Sequence, residues 1–122
     1  MKIILWFFVA LLLPGVAFAQ QAVCPNYSQG WRAIATTAYT LSPNDQCNLL
    51  VFTSASAVTL TLPVPKALFP YGFEFLEFTK GAGTVTLTAA TGTTVNAGST
   101  LAKATGAGAF CRSNGTGWFC KP

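Results

Sequence analysis

Apolar and polar residues alternate with a period of two along most of the chain beyond residue 30. Between residues 57 and 62, alanine and threonine alternate with Val58, Leu60 and Leu62, and residues 84–88 repeat this pattern with valine, leucine and threonine. Such alternation is typical of strands that turn one face to a core and the other to water. The pattern therefore predicts two half-buried strands in these segments.

Further strands are predicted where apolar residues run together between turn residues. Leu49–Phe52 is a continuous apolar run, and residues 73–78 hold three phenylalanines directly after a Pro-Tyr-Gly turn. Residues 81–83, Gly-Ala-Gly, fit a tight turn between two strands, and residues 66–69 fit a single helical turn. The shorter predicted strands are residues 94–96, 100–102, 108–112 and 118–121.

The order of these segments predicts the fold class. No amphipathic helix of useful length occurs after residue 20. Short strands separated by glycine and proline predict an all-β fold, a small antiparallel β-sandwich or barrel. We expect one domain over residues 31–122, with no internal boundary and no repeat of fixed period. Residues 20–30 are polar, contain Pro25 and Gly30, and predict an irregular N-terminal arm.

The first nineteen residues have the order of a secretory signal peptide. A positive Lys2 precedes the apolar run Ile3–Leu13, and small residues follow at Ala17 and Ala19. This order predicts cleavage after Ala19. The apolar run is shorter than the roughly 20 residues that a spanning helix needs, so no stable membrane span is expected after cleavage. We expect a secreted or periplasmic protein; a lipoprotein is disfavoured because Val23 precedes the first cysteine.

All four cysteines follow the predicted cleavage site. An even number of cysteines in a short exported chain predicts a disulfide framework, with three possible connectivities. Residues 114–117 are turn-forming, and a hairpin that pairs Ser113 with Trp118 would place Cys111 opposite Cys120. The chain has no histidine and no Cys-x2-Cys pair, which disfavours zinc. The favoured pairs are Cys24–Cys47 and Cys111–Cys120.

The charged residues argue against an enzyme and against a nucleic-acid-binding protein. The chain has seven basic and three acidic residues, and the basic residues are scattered singly rather than clustered into a face. Glu74 and Glu77 are three residues apart on a predicted strand, so they point to opposite faces. Asp45 follows Ser42 and Pro43 in a predicted capped turn. We therefore predict no catalytic group, no metal and no cofactor.

Several segments together carry a resemblance to a known family. In their order and spacing, residues 38–119 resemble the small all-β module found in bacteriophage tail-fibre and other virion structural proteins. The resemblance implies a compact appendage domain for structure or attachment, without enzymatic activity, and it transfers no catalytic residue. The export signal and the cysteines are additions to the family pattern. The segments that carry the resemblance are residues 39–41, 54–63, 72–75, 81–87, 92–96 and 114–118.

Aromatic residues outside the predicted strand interiors are the candidate binding groups. Tyr71 follows Pro70 at a turn, and Trp31 and Tyr27 lie at or beside the N-terminal arm. The Thr-x-Thr segments also predict a threonine face of the kind that binds regular surfaces such as ice. Without a fixed repeat period this second hypothesis is the less favoured one.

The sequence thus predicts a non-enzymatic, secreted structural or adhesion module. Its expected partner is a cell-surface glycan or an envelope protein, reached through loops or an open sheet. The alternative is a small secreted effector, an inhibitor or toxin, that uses the β-domain as a stable carrier. In that case the activity is expected to map to the N-terminal arm, residues 20–30.

Overall fold

The strands account for most of the regular structure. The computed structural model describes Cys24 and residues 30–122, and in this part of the chain nine strands and one 3₁₀ turn (Pro43–Asp45) occur. The strands are β1 (Trp31–Ile34), β2 (Ala38–Thr40), β3 (Leu49–Phe52), β4 (Val58–Leu62), β5 (Glu74–Thr79), β6 (Val85–Ala89), β7 (Thr100–Lys103), β8 (Gly108–Ser113) and β9 (Trp118–Lys121).

The chain passes alternately between two sheets. One sheet has five strands in the order β1-β3-β5-β8-β9, and the other has four in the order β2-β4-β6-β7. Successive strands from β1 to β6 lie in alternate sheets, so this part of the chain makes three turns of a flattened coil. The last three strands then close the sheets, β7 on β6, and β8 and β9 beside β5.

The all-β prediction is confirmed, but the antiparallel pairing holds for only part of the structure. Within the described residues, β5–β8, β6–β7 and β8–β9 are antiparallel, whereas β1–β3, β3–β5, β2–β4 and β4–β6 are parallel. Parallel pairing follows because the chain crosses through the opposite sheet before it returns. Side chains alternate with a period of two in both pairings, so the periodicity alone cannot separate them.

The second and third turns of the coil repeat with a common period. Leu49 pairs with Leu76 and Val58 pairs with Val85, so both strands are offset by 27 residues (76 − 49 and 85 − 58). The first turn is offset by 18 residues in β1, where Trp31 pairs with Leu49 (49 − 31). The offset between the first and second turns therefore differs from the 27-residue offset between the second and third turns. The three turns do not repeat with one fixed period.

The Gly-Ala-Gly segment is a corner of the coil rather than a hairpin turn. It joins β5 of one sheet to β6 of the other and stacks on the preceding corner, where Gly81 N–H donates to the Phe52 carbonyl at 2.9 Å. A Cβ atom on Gly81 would overlap the Ser54 carbonyl, and one on Gly83 would overlap the Ser56 carbonyl. Only glycine allows the two corners to approach this closely.

A shared core joins the two sheets around Trp118. Its side chain is 2% exposed, and its ring makes edge-to-face contacts with Phe69, Phe73 and Phe75. The indole Nε1–H donates to the Pro63 carbonyl at 2.7 Å. Because Pro63 directly follows β4, this bond fastens the end of one sheet to the other.

Both favoured disulfides are present. Cys24 is bonded to Cys47, with their Cα atoms 5.3 Å apart. Cys111 is bonded to Cys120 across β8 and β9, in the register predicted from the turn between these strands. The second disulfide belongs to the core, whereas the first fastens the N-terminal side of the chain before β3.

Two local predictions differ from the structure. The predicted strand at 94–96 is reduced to isolated bridges, in which Val95 pairs with Gly98 and Trp118. Residues 66–69 form a turn closed by a bond from Phe69 N–H to the Lys66 carbonyl at 2.9 Å. The predicted signal peptide and most of the predicted arm lie outside the described residues. Within those residues, no helix has the length and apolar character to cross a membrane.

Candidate binding face

The Asp45 carboxylate is used within its own turn. It is fully buried, accepts the Ser42 backbone N–H at 2.8 Å and accepts the Tyr39 hydroxyl at 2.8 Å. Arg32 completes the surroundings with a 3.4 Å ion pair. Burial, followed by the Asp45 hydrogen bond, raises the pKa of Tyr39. These contacts confirm the turn role predicted for Asp45.

The two glutamates of β5 are not brought together. In the register of β5 and β8, Glu74 lies opposite Arg112 on the outer side of the sheet, whereas Glu77 lies opposite Ala109 on the core side. Glu77 is 2% exposed and accepts the Thr79 hydroxyl at 2.8 Å, while its Oε2 is buried without a partner among the described residues. Burial raises the pKa of Glu77. Among the described residues, no cluster of three His, Cys, Asp or Glu side chains can hold a metal ion.

The acidic side chains of the described residues are buried, whereas the basic ones other than Lys103 reach the surface. All three acidic side chains of the sequence lie in the described part, and Asp45, Glu74 and Glu77 are each at most 9% exposed. The exposed charged side chains of the described residues are consequently all basic. They belong to Arg32, Lys66, Lys80 and Lys121, with Arg112 half-buried.

The outer side of the five-stranded sheet is rich in aromatic and aliphatic side chains. We call this surface, together with Tyr71 at its rim, the aromatic face. Trp31 is 69% exposed, Phe119 57% and Tyr71 56%. Large exposed apolar surfaces of this kind mark interaction sites in soluble proteins. The cross-strand registers align the outward residues in three rows: Ala33, Val51, Phe78 and Gly108; Trp31, Leu49, Leu76, Phe110 and Lys121; Glu74, Arg112 and Phe119.

The outer side of the four-stranded sheet has a different composition. Its outward residues are threonine and alanine and carry no charge, and we call it the threonine face. Parallel register aligns them because β2, β4 and β6 stack in the coil. The threonine face therefore offers a matched surface for control substitutions. Its two rows are Ala38, Thr59, Thr86 and Ala102, and Thr40, Thr61, Thr88 and Thr100.

A small pocket lies at the β8–β9 end of the aromatic face. We call it the Arg112 pocket; its volume is about 270 Å³. The Arg112 guanidinium carbon lies 5.8 Å from the centre of the Tyr71 ring, which is a cation–π distance. The pocket is lined by Tyr71, Phe110, Arg112, Ser113, Asn114 and Phe119.

Backbone hydrogen bonds set the walls of this pocket. Gly72 N–H donates to the Ser113 carbonyl at 2.9 Å, which fixes the Tyr71 turn against the end of β8. The Asn114 Oδ1 accepts the Gly117 N–H at 2.7 Å and also bonds Thr116, which orders the β8–β9 turn. The Asn114 side chain is thereby held at the rim of the pocket.

An apolar groove adjoins the Arg112 pocket and shares Phe110 with it. Its volume is about 500 Å³, and it lies over β3, β5 and β8. Its side-chain walls come mainly from Leu49, Leu76, Phe78, Phe110 and Pro122. The pocket and the groove together extend across the β3–β5–β8–β9 part of the aromatic face.

The structure places two of the three predicted binding residues on one face. Trp31 lies on the edge strand β1 and Tyr71 lies beside β8 and β9, three strands away at roughly 14 Å by ordinary strand spacing. Tyr27 lies outside the described residues. Trp31 and Tyr71 therefore belong to the same surface but not to the same pocket.

Sequence reasoning missed Arg112 and Phe119. A signal for both was present, because a cross-strand disulfide inside the core forces the residues next to its cysteines outward. Arg112 follows Cys111 and Phe119 precedes Cys120, and the register pairs the two residues side by side. The disulfide prediction therefore implied their outward orientation.

The chain was compared with known proteins at three levels. No protein-family model, no characterised protein and no solved structure matches it. The evidence for what this chain does therefore comes from the geometry of its two sheet faces.

Proposed function

We propose that the protein is a secreted, non-enzymatic structural or adhesion module that binds a cell-surface glycan or envelope protein through its aromatic face. The observation that carries the proposal is the exposure of Trp31 and Phe119 on one side of the five-stranded sheet, with the exposed Tyr71 at its rim. A likeness in role to phage tail appendage modules is part of the proposal.

The disulfides support the proposed location. Two disulfides in a chain of this size fit an oxidising compartment outside the cytoplasm. Secretion through the predicted signal peptide would deliver the chain to that compartment. There, envelope glycans and envelope proteins are the surfaces within its reach.

The proposal is tested by retention of the oxidised protein on purified envelope fractions. We expect saturable retention of the wild type, and at least a threefold weaker apparent affinity for Trp31→Ala and Tyr71→Ala. Both side chains are more than half exposed, so their removal is expected to leave the fold intact. Light scattering on the same sample gives the oligomeric state.

A matched control comes from the opposite sheet. The double variant Thr59→Ala/Thr86→Ala alters the threonine face and is expected to bind like the wild type. Equal retention of all variants, or none of the wild type, would contradict the proposal. It would favour a secreted effector acting through the N-terminal arm.

A further inference from the structure

We infer that the Arg112 pocket binds an acidic sugar residue, with the carboxylate on Arg112 and the sugar ring against Tyr71 and Phe119. The inference rests on the proposed function and names the ligand class for one part of the aromatic face.

The Arg112 guanidinium has unused hydrogen-bonding capacity. Its Nε is buried and has no hydrogen-bond partner among the described residues, and none of its other donors bonds a protein group there. An arginine presents five N–H donors in a planar fork that matches a carboxylate. A ligand carboxylate in the pocket would accept from the two terminal nitrogens, which unlike Nε are not buried, in a bidentate geometry.

The Glu74 carboxylate, which lies opposite Arg112 in the sheet, leaves the guanidinium unpaired. Glu74 is its cross-strand partner, but no ion pair within 4.0 Å joins them. Instead, the Glu74 Oε1 accepts the Cys24 backbone N–H at 3.3 Å. Cys24 is disulfide-bonded to Cys47, whose own N–H donates to the Glu74 carbonyl at 2.8 Å, so the Glu74 carboxylate bonds the segment that precedes β3 rather than Arg112.

The rings on either side of Arg112 fit a flat, partly apolar ligand. Tyr71 and Phe119 are each more than half exposed, and both line the pocket. Aromatic rings bury the C–H faces of a partner while leaving its polar edge free to hydrogen bond. Asn114 lies at the rim, where its side-chain amide nitrogen has no partner among the described residues and can donate to a sugar hydroxyl. The volume of about 270 Å³ suits a single sugar unit.

The charge of the protein surface selects an anionic ligand over a neutral one. The acidic side chains are buried, so the charged side chains that face solvent in the described part are basic. A surface of one sign attracts anionic polymers and raises their rate of association. The basic groups are dispersed rather than aligned in a stripe, which favours an acidic glycan over a nucleic acid.

The test uses the oxidised, secreted protein and oligogalacturonate, a chain of carboxylate-bearing sugars. The matched ligand control is the methyl-esterified oligogalacturonate, which keeps the rings and loses the charge. We expect measurable binding of the acid by calorimetry, at least tenfold weaker binding of the ester, and weaker binding at high salt.

Substitutions assign the binding to this pocket. Arg112→Gln is expected to weaken binding of the acid about tenfold or more, since charged hydrogen bonds are lost. Arg112→Lys keeps the charge without the planar fork, so its affinity for the acid is expected to lie between those of the wild type and Arg112→Gln. Glu74→Gln removes the neighbouring negative charge and is expected to strengthen binding two- to threefold. Lys80→Gln, which removes an exposed cation at the corner after β5, is expected to change binding less than twofold.

The outcomes separate this inference from the proposed function. If the wild type is retained on envelope fractions and Trp31→Ala weakens retention, but acid and ester bind equally or Arg112→Gln has no effect, the acidic-sugar inference is overturned and the proposed function stands. Tighter binding of a phosphorylated glycan or of an oligonucleotide would also overturn it. Since Arg112→Gln alters a partly buried site, the unfolding temperature of this variant is measured first. If Arg112→Gln does not fold, the binding affinity of Arg112→Lys is used to test the inference instead.

Discussion

At the residue scale, the contrast between two tryptophans shows how depth decides role. Trp118 is 2% exposed and makes a 2.7 Å hydrogen bond to the Pro63 carbonyl, whereas Trp31 is 69% exposed on the aromatic face. The same residue type therefore stabilises the core in one place and leaves a ring available for binding in the other.

This contrast predicts different effects of alanine at the two positions. Trp118→Ala is expected to lower the free energy of unfolding by about 3–5 kcal/mol, because it leaves a cavity among Phe69, Phe73 and Phe75. Trp31→Ala is expected to change it by less than about 0.5 kcal/mol. Urea denaturation measures both, and similar losses at the two positions would be inconsistent with the described burial.

A second residue-scale prediction concerns the buried Glu77. Burial raises its pKa above the ordinary value of 4.5, while the Thr79 hydrogen bond and Lys103 lower it in part. The folded state therefore binds a proton more tightly than the unfolded state, so the Glu77 contribution to stability is largest below pH 4.5 and is lost as pH rises through the higher folded pKa.

Glu77→Gln tests this pH dependence. We expect the variant to have a higher unfolding temperature than the wild type at pH 7 and a smaller difference at pH 4, because the amide carries no charge to desolvate. Thermal unfolding between pH 4 and pH 8 measures it. Parallel pH profiles for the two proteins would contradict the effect.

At the element scale, the stacked corners of the coil leave no room for a Cβ atom at Gly81 or Gly83. Gly81→Ala is expected to lower the free energy of unfolding by about 1–3 kcal/mol, because its Cβ would overlap the backbone of the preceding corner. Gly98→Ala is the control, since its Cβ would lie 3.6 Å from the Val95 carbonyl oxygen, an ordinary contact. Equal stability of the two variants by urea denaturation would show that the corners do not stack as described.

At the scale of the whole molecule, the two disulfides restrain the chain over different lengths. Cys24 and Cys47 are 23 residues apart, and Cys111 and Cys120 are nine apart. Replacing the first pair with serine is expected to lower the free energy of unfolding by about 3 kcal/mol, because the longer loop gains more freedom in the unfolded chain.

The second disulfide provides the comparison. Its loop is shorter, but both cysteines are at most 2% exposed, so Cys111→Ala/Cys120→Ala also loses buried contacts. We expect this variant to lose at least as much stability as the first. Chemical denaturation of both double variants shows which one loses more free energy of unfolding. A negligible loss for both would contradict the proposed stabilisation by the disulfides.

The candidate site was predictable only in fragments. Tyr71 and Trp31 were recognisable as rings near turns or the arm, and the cross-strand disulfide implied the outward direction of Arg112 and Phe119. That Tyr71 lies over Arg112 was not predictable, because it depends on the turn before β5 meeting the end of β8 across a sequence distance of about 40 residues.

Short-range patterns in the sequence specify the local features of this protein. Strands, their inward and outward faces and the pairing of Cys111 with Cys120 all follow from alternation and turn chemistry, which act over a few residues. The folded chain was needed to show that the described strands β1 to β6 lie in alternate sheets, that four of the described pairings are parallel and that all three acidic side chains are buried. These features depend on contacts between distant segments, and a period of two is compatible with either strand direction.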